Sequence, residues 1–116
     1  MLLEDARALA LELPEAVEAP HHDMTSFRVR GKIFATAPPD ATHLHVFVDE
    51  SETAAAVAEA PAWCTELWWG KKLSGVRVSL PEADVELVAE LLEESYRRRA
   101  PKALITELED GRRSRR

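Results

Sequence analysis

The stretch that decides the fold is Ser26-Phe27-Arg28-Val29-Arg30-Gly31-Lys32-Ile33-Phe34-Ala35-Thr36. It consists of two short runs rich in β-branched and aromatic residues, with one glycine midway between them. Runs of this kind favour strands, and a glycine between them favours the reversal of a β-hairpin. The chain is therefore organised around a hairpin.

The register of this hairpin depends on its turn. A two-residue turn at Arg30-Gly31 would set Arg28 opposite Ile33 and mix apolar with charged residues on both faces. A three-residue loop that begins one residue earlier instead pairs Phe27 with Ile33 and Arg28 with Lys32. We predict the three-residue loop, because it gives one buried face and one basic face. Like charges placed opposite each other are unfavourable, so a basic face suggests an anionic partner, although a solvated outer face is the more usual explanation for a single hairpin.

Hydrophobic periodicity places further elements on both sides of the hairpin. Alternation predicts a third strand, and a stripe at helical spacing predicts a strong helix after Pro81, with Val85 among its buried residues. The elements expected outside the hairpin are a helix at residues 2–13, a connector at 14–25, strand 43–48, a short helix at 53–60 capped by Asp49 and Glu52, an aromatic loop at 62–72, strand 73–80 and helix 85–96.

This order predicts an α+β fold with two layers. An antiparallel sheet of four to five strands would carry the helices on one side. We expect the residues that fill the space between the layers to be Val88, Leu91, Leu92, Phe27, Ile33 and Val46.

Length and composition indicate one domain. The 116 residues carry a net charge of −6, and no apolar run approaches the ~20 residues that cross a bilayer. The acidic start does not resemble a signal peptide, and the single Cys64 allows no internal disulfide, so we expect a cytoplasmic protein without membrane contact. Acidic residues fall on the predicted helices, whereas basic residues fall on the predicted strands, their turns and the C-terminal end. This distribution could build a basic sheet surface.

Four histidines raise the possibility of a metal site. His43 and His45 lie on one side of a predicted strand, and His21-His22 lie on the preceding connector. A complete ligand set at a recognised spacing is absent from the sequence, so we expect no bound metal. The sequence also lacks a nucleophile elbow and a phosphate-binding glycine loop, and Cys64 reads as a small buried hydrophobe. We expect no catalytic activity and no cofactor, and we identify no small-molecule substrate.

Three tryptophans, Trp63, Trp68 and Trp69, lie within seven residues and precede Lys71-Lys72. Rings beside cations could stack on bases and contact phosphates of a nucleic acid. The same rings could instead seal the edge of a small core, which is their more usual role. Both interpretations remain open at this stage.

The sequence also resembles a known family. The residues that carry the resemblance are Leu13-Pro14, Pro20-His21, the stretch from Ser26 to Ala35, Val76 to Leu80 and Glu94-Ser95-Tyr96-Arg97. In this order and spacing they resemble the MmcQ/YjbR-like proteins from about residue 3 to residue 105. The resemblance implies one domain over residues 1–105, and the arginines at the end of the sequence predict a basic, flexible tail at 106–116. The chain departs from the family pattern at Leu73, where the family usually carries a tryptophan.

The resemblance implies a compact α+β domain with a double-wing DNA-binding arrangement. The first wing would carry Arg28, Arg30 and Lys32, and the second would carry Lys71, Lys72 and Arg77. Two functions follow as hypotheses. The first is a module that binds duplex DNA weakly through these basic residues. The second is a protein-interaction or chaperone-like domain that uses the sheet face and the tryptophan-rich segment. The acidic pI of about 5.2 disfavours the first, because dedicated nucleic-acid-binding domains are usually basic.

Overall fold

The computed structural model of the protein describes residues 1–114 and confirms the α+β class. Its helices and strands follow the expected order, but the sheet has six strands, one more than the upper limit of the predicted four to five. The α-helices and strands are α1 (Leu3–Leu11), β1 (Val17–His21), β2 (Met24–Val29), β3 (Lys32–Ala37), β4 (His43–Val46), α2 (Glu50–Glu59), β5 (Cys64–Trp69), β6 (Lys72–Ser79), α3 (Val85–Arg99) and α4 (Lys102–Ser114).

All six strands form one antiparallel sheet in the order β1-β2-β3-β4-β6-β5. The β2–β3 and β5–β6 hairpins thus lie on either side of β4, the shortest strand. Helix α3 packs across β3 and β4, α2 packs on β5 and β6, and α1 packs against α3. One face of the sheet is therefore covered by helices, as predicted, and the other is left open.

The predicted register of the β2–β3 hairpin is wrong. Val29 pairs with Lys32 and Arg28 pairs with Ile33, so the turn has only the two residues Arg30 and Gly31. Both turn residues have positive φ, 50° and 79°, which is the backbone of a type I′ turn and matches the twist of the strands. In a regular hairpin, this turn would place apolar and charged residues on both faces.

A β-bulge prevents this mixing of apolar and charged residues on both faces. The register shifts between Phe27 and Arg28, so that Phe27 pairs with Ala35 and Phe34 is the extra residue. Phe27, Phe34 and Val29 all become fully buried, whereas Ile33 is only partly buried. The expectation that Ile33 belongs to the core is therefore wrong, because the bulge directs Phe34 there instead.

Two segments predicted to be irregular are strands. The connector contains β1, which pairs with β2 at the edge of the sheet and tolerates Pro20 there because an edge strand has a side without ladder partners. The aromatic loop is in fact β5, which pairs with β6 and ends in a two-residue turn at Gly70-Lys71. Gly70 has a φ of 60°, which suits the first position of such a turn.

The core between sheet and helices holds most of the predicted residues. Phe27, Val46, Val88, Leu91 and Leu92 are at most 2% exposed. Val85, the first residue of α3, is 50% exposed, so its predicted burial is wrong. Leu87, which is 9% exposed, takes part in the buried stripe in its place.

Tyr96 joins three parts of the fold. Its ring packs edge-on against Phe34 at a centroid distance of 5.7 Å, and its hydroxyl donates a hydrogen bond of 2.7 Å to the Pro14 carbonyl oxygen. The neighbouring Ser95 hydroxyl donates to the Phe34 carbonyl oxygen at 2.6 Å. These contacts fix α3 against the bulge in β3.

The C-terminal segment differs from the predicted tail. Residues 102–114 form α4, in which Leu104 is buried and Arg112 forms an ion pair with Glu93 of α3. The part of the tail prediction that concerns residues 115 and 116 lies outside the described residues. No helix within residues 1–114 is long and apolar enough to cross a membrane.

Candidate nucleic-acid interface

The turns of the two hairpins lie at the same end of the sheet. In an antiparallel sheet of this order, β2, β4 and β5 run toward one end, so both hairpin turns and the end of β4 are found there. Ala35, Val46 and Val76 form the last row in which β4 is paired on both sides. At about 3.3 Å per residue, each hairpin extends roughly 10 Å past that row. We call this end of the sheet the turn edge.

A cleft of about 660 Å³ lies between the two hairpins, on the open side of the sheet. Its floor includes His45 of β4, its walls include Ile33 and Trp68, and Arg98 and Arg99 reach into it from the end of α3. Two interstrand spacings of about 4.8 Å separate β3 from β6, so the backbones of these two strands are about 10 Å apart on either side of β4. Its volume is within the range of ordinary ligand sites.

Two of the predicted site residues are engaged within the protein. Arg30 forms a bidentate ion pair with Glu15, with nitrogen–oxygen distances of 2.7 and 2.9 Å, although both side chains are exposed. The hydrogen bond from Arg30 lowers the pKa of the Glu15 carboxyl. Arg28 donates to the Ser26 hydroxyl at 2.9 Å and to the Pro20 carbonyl oxygen at 3.2 Å, so it braces β1 against β2.

The three predicted lysines differ from the arginines. Lys32, Lys71 and Lys72 are exposed on the turn edge, Lys32 beside one turn and the other two in or beside the second. Within residues 1–114 none of the three forms an ion pair. Arg77, the remaining predicted base, is exposed farther down β6, opposite His45 and Thr65, and lies outside the cleft lining.

Arg98 and Arg99 belong to the same edge, although they are not among the predicted site residues. Arg98 Nη1 donates to the Phe47 carbonyl oxygen at 3.0 Å, and Arg99 Nε donates to the Ile33 carbonyl oxygen at 3.2 Å. Each guanidinium keeps further donors, since it carries five N–H groups. Their position follows from the direction in which α3 crosses the sheet, for which the sequence held no signal.

The tryptophans divide into two kinds. Trp63 is partly buried and packs against the core, as expected of a ring that seals an edge. Trp68 and Trp69 end strand β5 at the cleft and are 51% and 82% exposed. Trp69 is thus a large apolar side chain left in solvent next to the Gly70-Lys71 turn.

The histidines and Cys64 occupy separate places. His43 contacts Asp40 at 3.2 Å, and His21 packs edge-on against His22. Within the described part of the chain, no three His, Cys, Asp or Glu residues are grouped so as to hold a metal ion. Cys64 is buried, and burial raises the pKa of its thiol to about 11.

His45 is the polar residue under the cleft. Burial, followed by the nearby positive charge of Arg77 and by His43, lowers the pKa of its imidazole. Its Nε2 atom is buried and has no hydrogen-bond partner among residues 1–114.

The architecture agrees with comparisons to known proteins. The family model named YjbR matches residues 11–98, a segment that holds all six strands and most of α3. The crystal structure of Deinococcus radiodurans protein DR2400, with a domain described as DUF419, is similar, with a TM-score of 0.69 and 25% sequence identity over 82% of this chain and 75% of that chain. No curated protein matches the chain. Because the family model covers well over half of the sequence, the chain belongs to the YjbR family.

Proposed function

We propose that the protein is a non-enzymatic, cytoplasmic DNA-binding module whose turn edge contacts the phosphate backbone. The observation that carries the proposal is the grouping of Lys32, Lys71 and Lys72 at one end of the sheet, on two hairpins that project past β4. Paired projections with exposed ammonium groups suit a chain of phosphates, because backbone contacts need charge and position rather than a base-reading helix.

The hydrogen bonds of the two hairpin arginines determine which basic residues carry the proposed contacts. Arg30 is held by Glu15 and Arg28 by Ser26 and Pro20, so the turn lysines become the main contacts. Arg98 and Arg99 add two cations between the hairpins. The net charge of −6 opposes this binding at long range, so we expect a dissociation constant of about 1–100 μM at physiological salt.

The test is a salt titration with duplex DNA. Each phosphate contact contributes about 0.9 to the slope of log affinity against log salt, so three lysines contribute roughly 2.7. The variant K32Q/K71Q/K72Q should lose that part of the slope. The control R7Q/K102Q/R113Q makes the same change in net charge on α1 and α4, and it should retain the slope. Equal slopes in the triple variant and the parent would refute the role of the lysines.

A second candidate function rests on Trp68 and Trp69. Large exposed aromatic side chains are typical of protein-interaction surfaces, and β5 is an edge strand with an unpaired side. If the protein binds no DNA at low salt, and W68A/W69A abolishes the recovery of a partner protein that the parent retains, this second function replaces the first.

A further inference from the structure

The cleft between the hairpins combines cations that the phosphate-contact proposal already uses with two tryptophans that it leaves unused. Trp68 and Trp69 line it and are 51% and 82% exposed, Arg98 and Arg99 enter from the end of α3, and Lys72 adds a third cation. Exposed aromatic rings beside cations suit single-stranded nucleic acid, because every base has a face that stacks and every linkage carries a negative charge.

The arginines are already in position. Hydrogen bonds to the Phe47 and Ile33 carbonyl oxygens hold Arg98 and Arg99 at the cleft, and neither forms an ion pair within the described residues. The acid that lines the cleft, Asp49, accepts a hydrogen bond of 2.8 Å from the Glu52 backbone N–H as the cap of α2. An anion entering the cleft would therefore meet guanidinium donors that need little reordering.

Stacking on the tryptophans selects the form of the nucleic acid. In a duplex the faces of the bases are already stacked on one another, so they are not available to Trp68 and Trp69. The bases of a single strand can turn toward these side chains.

We propose that this cleft binds an unpaired segment of DNA, with a base stacked on Trp69 or Trp68 and its phosphates on Arg98, Arg99 and Lys72. The proposal rests on the proposed DNA-binding function and specifies its substrate as single-stranded at this site. A duplex would contact the cations of the turn edge without stacking on the tryptophans.

The experiment compares fluorescent oligo(dT) of about ten nucleotides, within the usual site size, with a duplex of the same length at one salt concentration. The parent should bind the single strand about tenfold more tightly, and tryptophan emission should be quenched on binding. W69A should lose about tenfold in affinity for oligo(dT) and keep its duplex affinity, while W69F should retain most of the affinity. R99Q should reduce the salt slope for oligo(dT) by about 0.7.

Several outcomes would overturn the inference, and they can be told apart. Equal affinity for both DNA forms, or equal weakening of both by W69A, refutes the single-strand site and leaves the proposed function standing. Failure of the parent to bind either form refutes both proposals. Displacement of oligo(dT) by an equal charge of polyglutamate shows that the cleft recognises charge alone, as an acidic protein segment would require, and also refutes the site. R99Q also removes the hydrogen bond to the Ile33 carbonyl oxygen. K72Q therefore serves as a second variant, which removes a cation from the cleft and leaves the packing intact.

Discussion

Gly75 lies so close to Val46 that a β-carbon on it would stand 2.1 Å from the Val46 carbonyl oxygen. The φ of Gly75 is 154°, a value that L-residues rarely adopt. Both restrictions act at the junction of β4 with β6, where the second hairpin joins the sheet. This position therefore requires glycine.

Replacing Gly75 with alanine should destabilise the protein by more than about 3 kcal/mol, because the backbone atoms that it would contact cannot move aside without breaking the ladder. Urea unfolding measures the change. Gly111 is the matched control, since it lies in α4 with no heavy atom near its missing β-carbon. There alanine should be neutral or stabilise by up to about 1 kcal/mol. Similar losses in both variants would contradict the steric argument.

Leu91 and Val85 test the orientation of α3. Leu91 is 2% exposed and faces the sheet, so L91A should cost about 2–5 kcal/mol. Val85 is 50% exposed, so V85A should change the free energy of unfolding by less than about 0.5 kcal/mol. If V85A proved the more damaging of the two, the helix would be rotated relative to the structure described here.

The same pair shows what the sequence could predict about α3. Its periodicity predicted the helix and most of its buried stripe, since spacing alone decides which side chains share a face. It did not predict where along the stripe contact with the sheet begins, because that depends on how the helix crosses the strands. The exposure of Val85 and the position of Arg98 in the cleft both follow from that crossing.

The strands were less predictable for a related reason. Alternation predicted the burial of Phe27 and Val46, but the bulge at Phe34 depends on a cross-strand fit that no local pattern encodes. Strand β5 was missed because its sequence shows no alternation of apolar and polar residues, and Glu66, Trp68 and Trp69 are all exposed. The turn lysines were predicted as site residues, whereas the ion pair of Arg30 with Glu15 joins residues too far apart in sequence to be recognised.

Ser95→Ala and Tyr96→Phe each remove one hydroxyl that donates to a backbone carbonyl oxygen, of Phe34 and Pro14 respectively. Each variant should lose about 1–2 kcal/mol, because the acceptor that remains is at least partly buried. The loss should be larger for Ser95, whose hydrogen bond is fully buried. Chemical denaturation measures both, and a stabilised Y96F would show that Pro14 finds another donor at no cost.

Glu15→Gln should release Arg30 from its ion pair and make the guanidinium available to a phosphate. If the turn edge binds DNA, the salt slope should become steeper by about 0.9. E12Q makes the same change in net charge on an exposed position at the end of α1, so it should increase affinity only slightly and leave the slope unchanged. Identical behaviour of E15Q and E12Q would show that the effect is one of net charge.

His45 should make stability depend on pH. Burial lowers the pKa of its imidazole in the folded state, so on acidification the unfolded chain binds the proton first, near its ordinary value of about 6.5. The stabilisation is present above that pH and is lost as the pH falls toward the folded pKa. Unfolding free energies measured from about pH 7.5 to 5 should fall less steeply for H45Q than for the parent. Parallel curves would contradict this assignment.

The projection of both hairpins past the Ala35–Val46–Val76 row has a consequence for how such a domain can diversify. Exposed side chains at or beside the turns, such as Lys32 and Trp69, are not part of the core, so the charge and length of the turns can vary while the packing on α3 stays the same. Related proteins could therefore exchange one ligand for another through changes at a few exposed positions. The scaffold and its selectivity would then evolve under separate constraints.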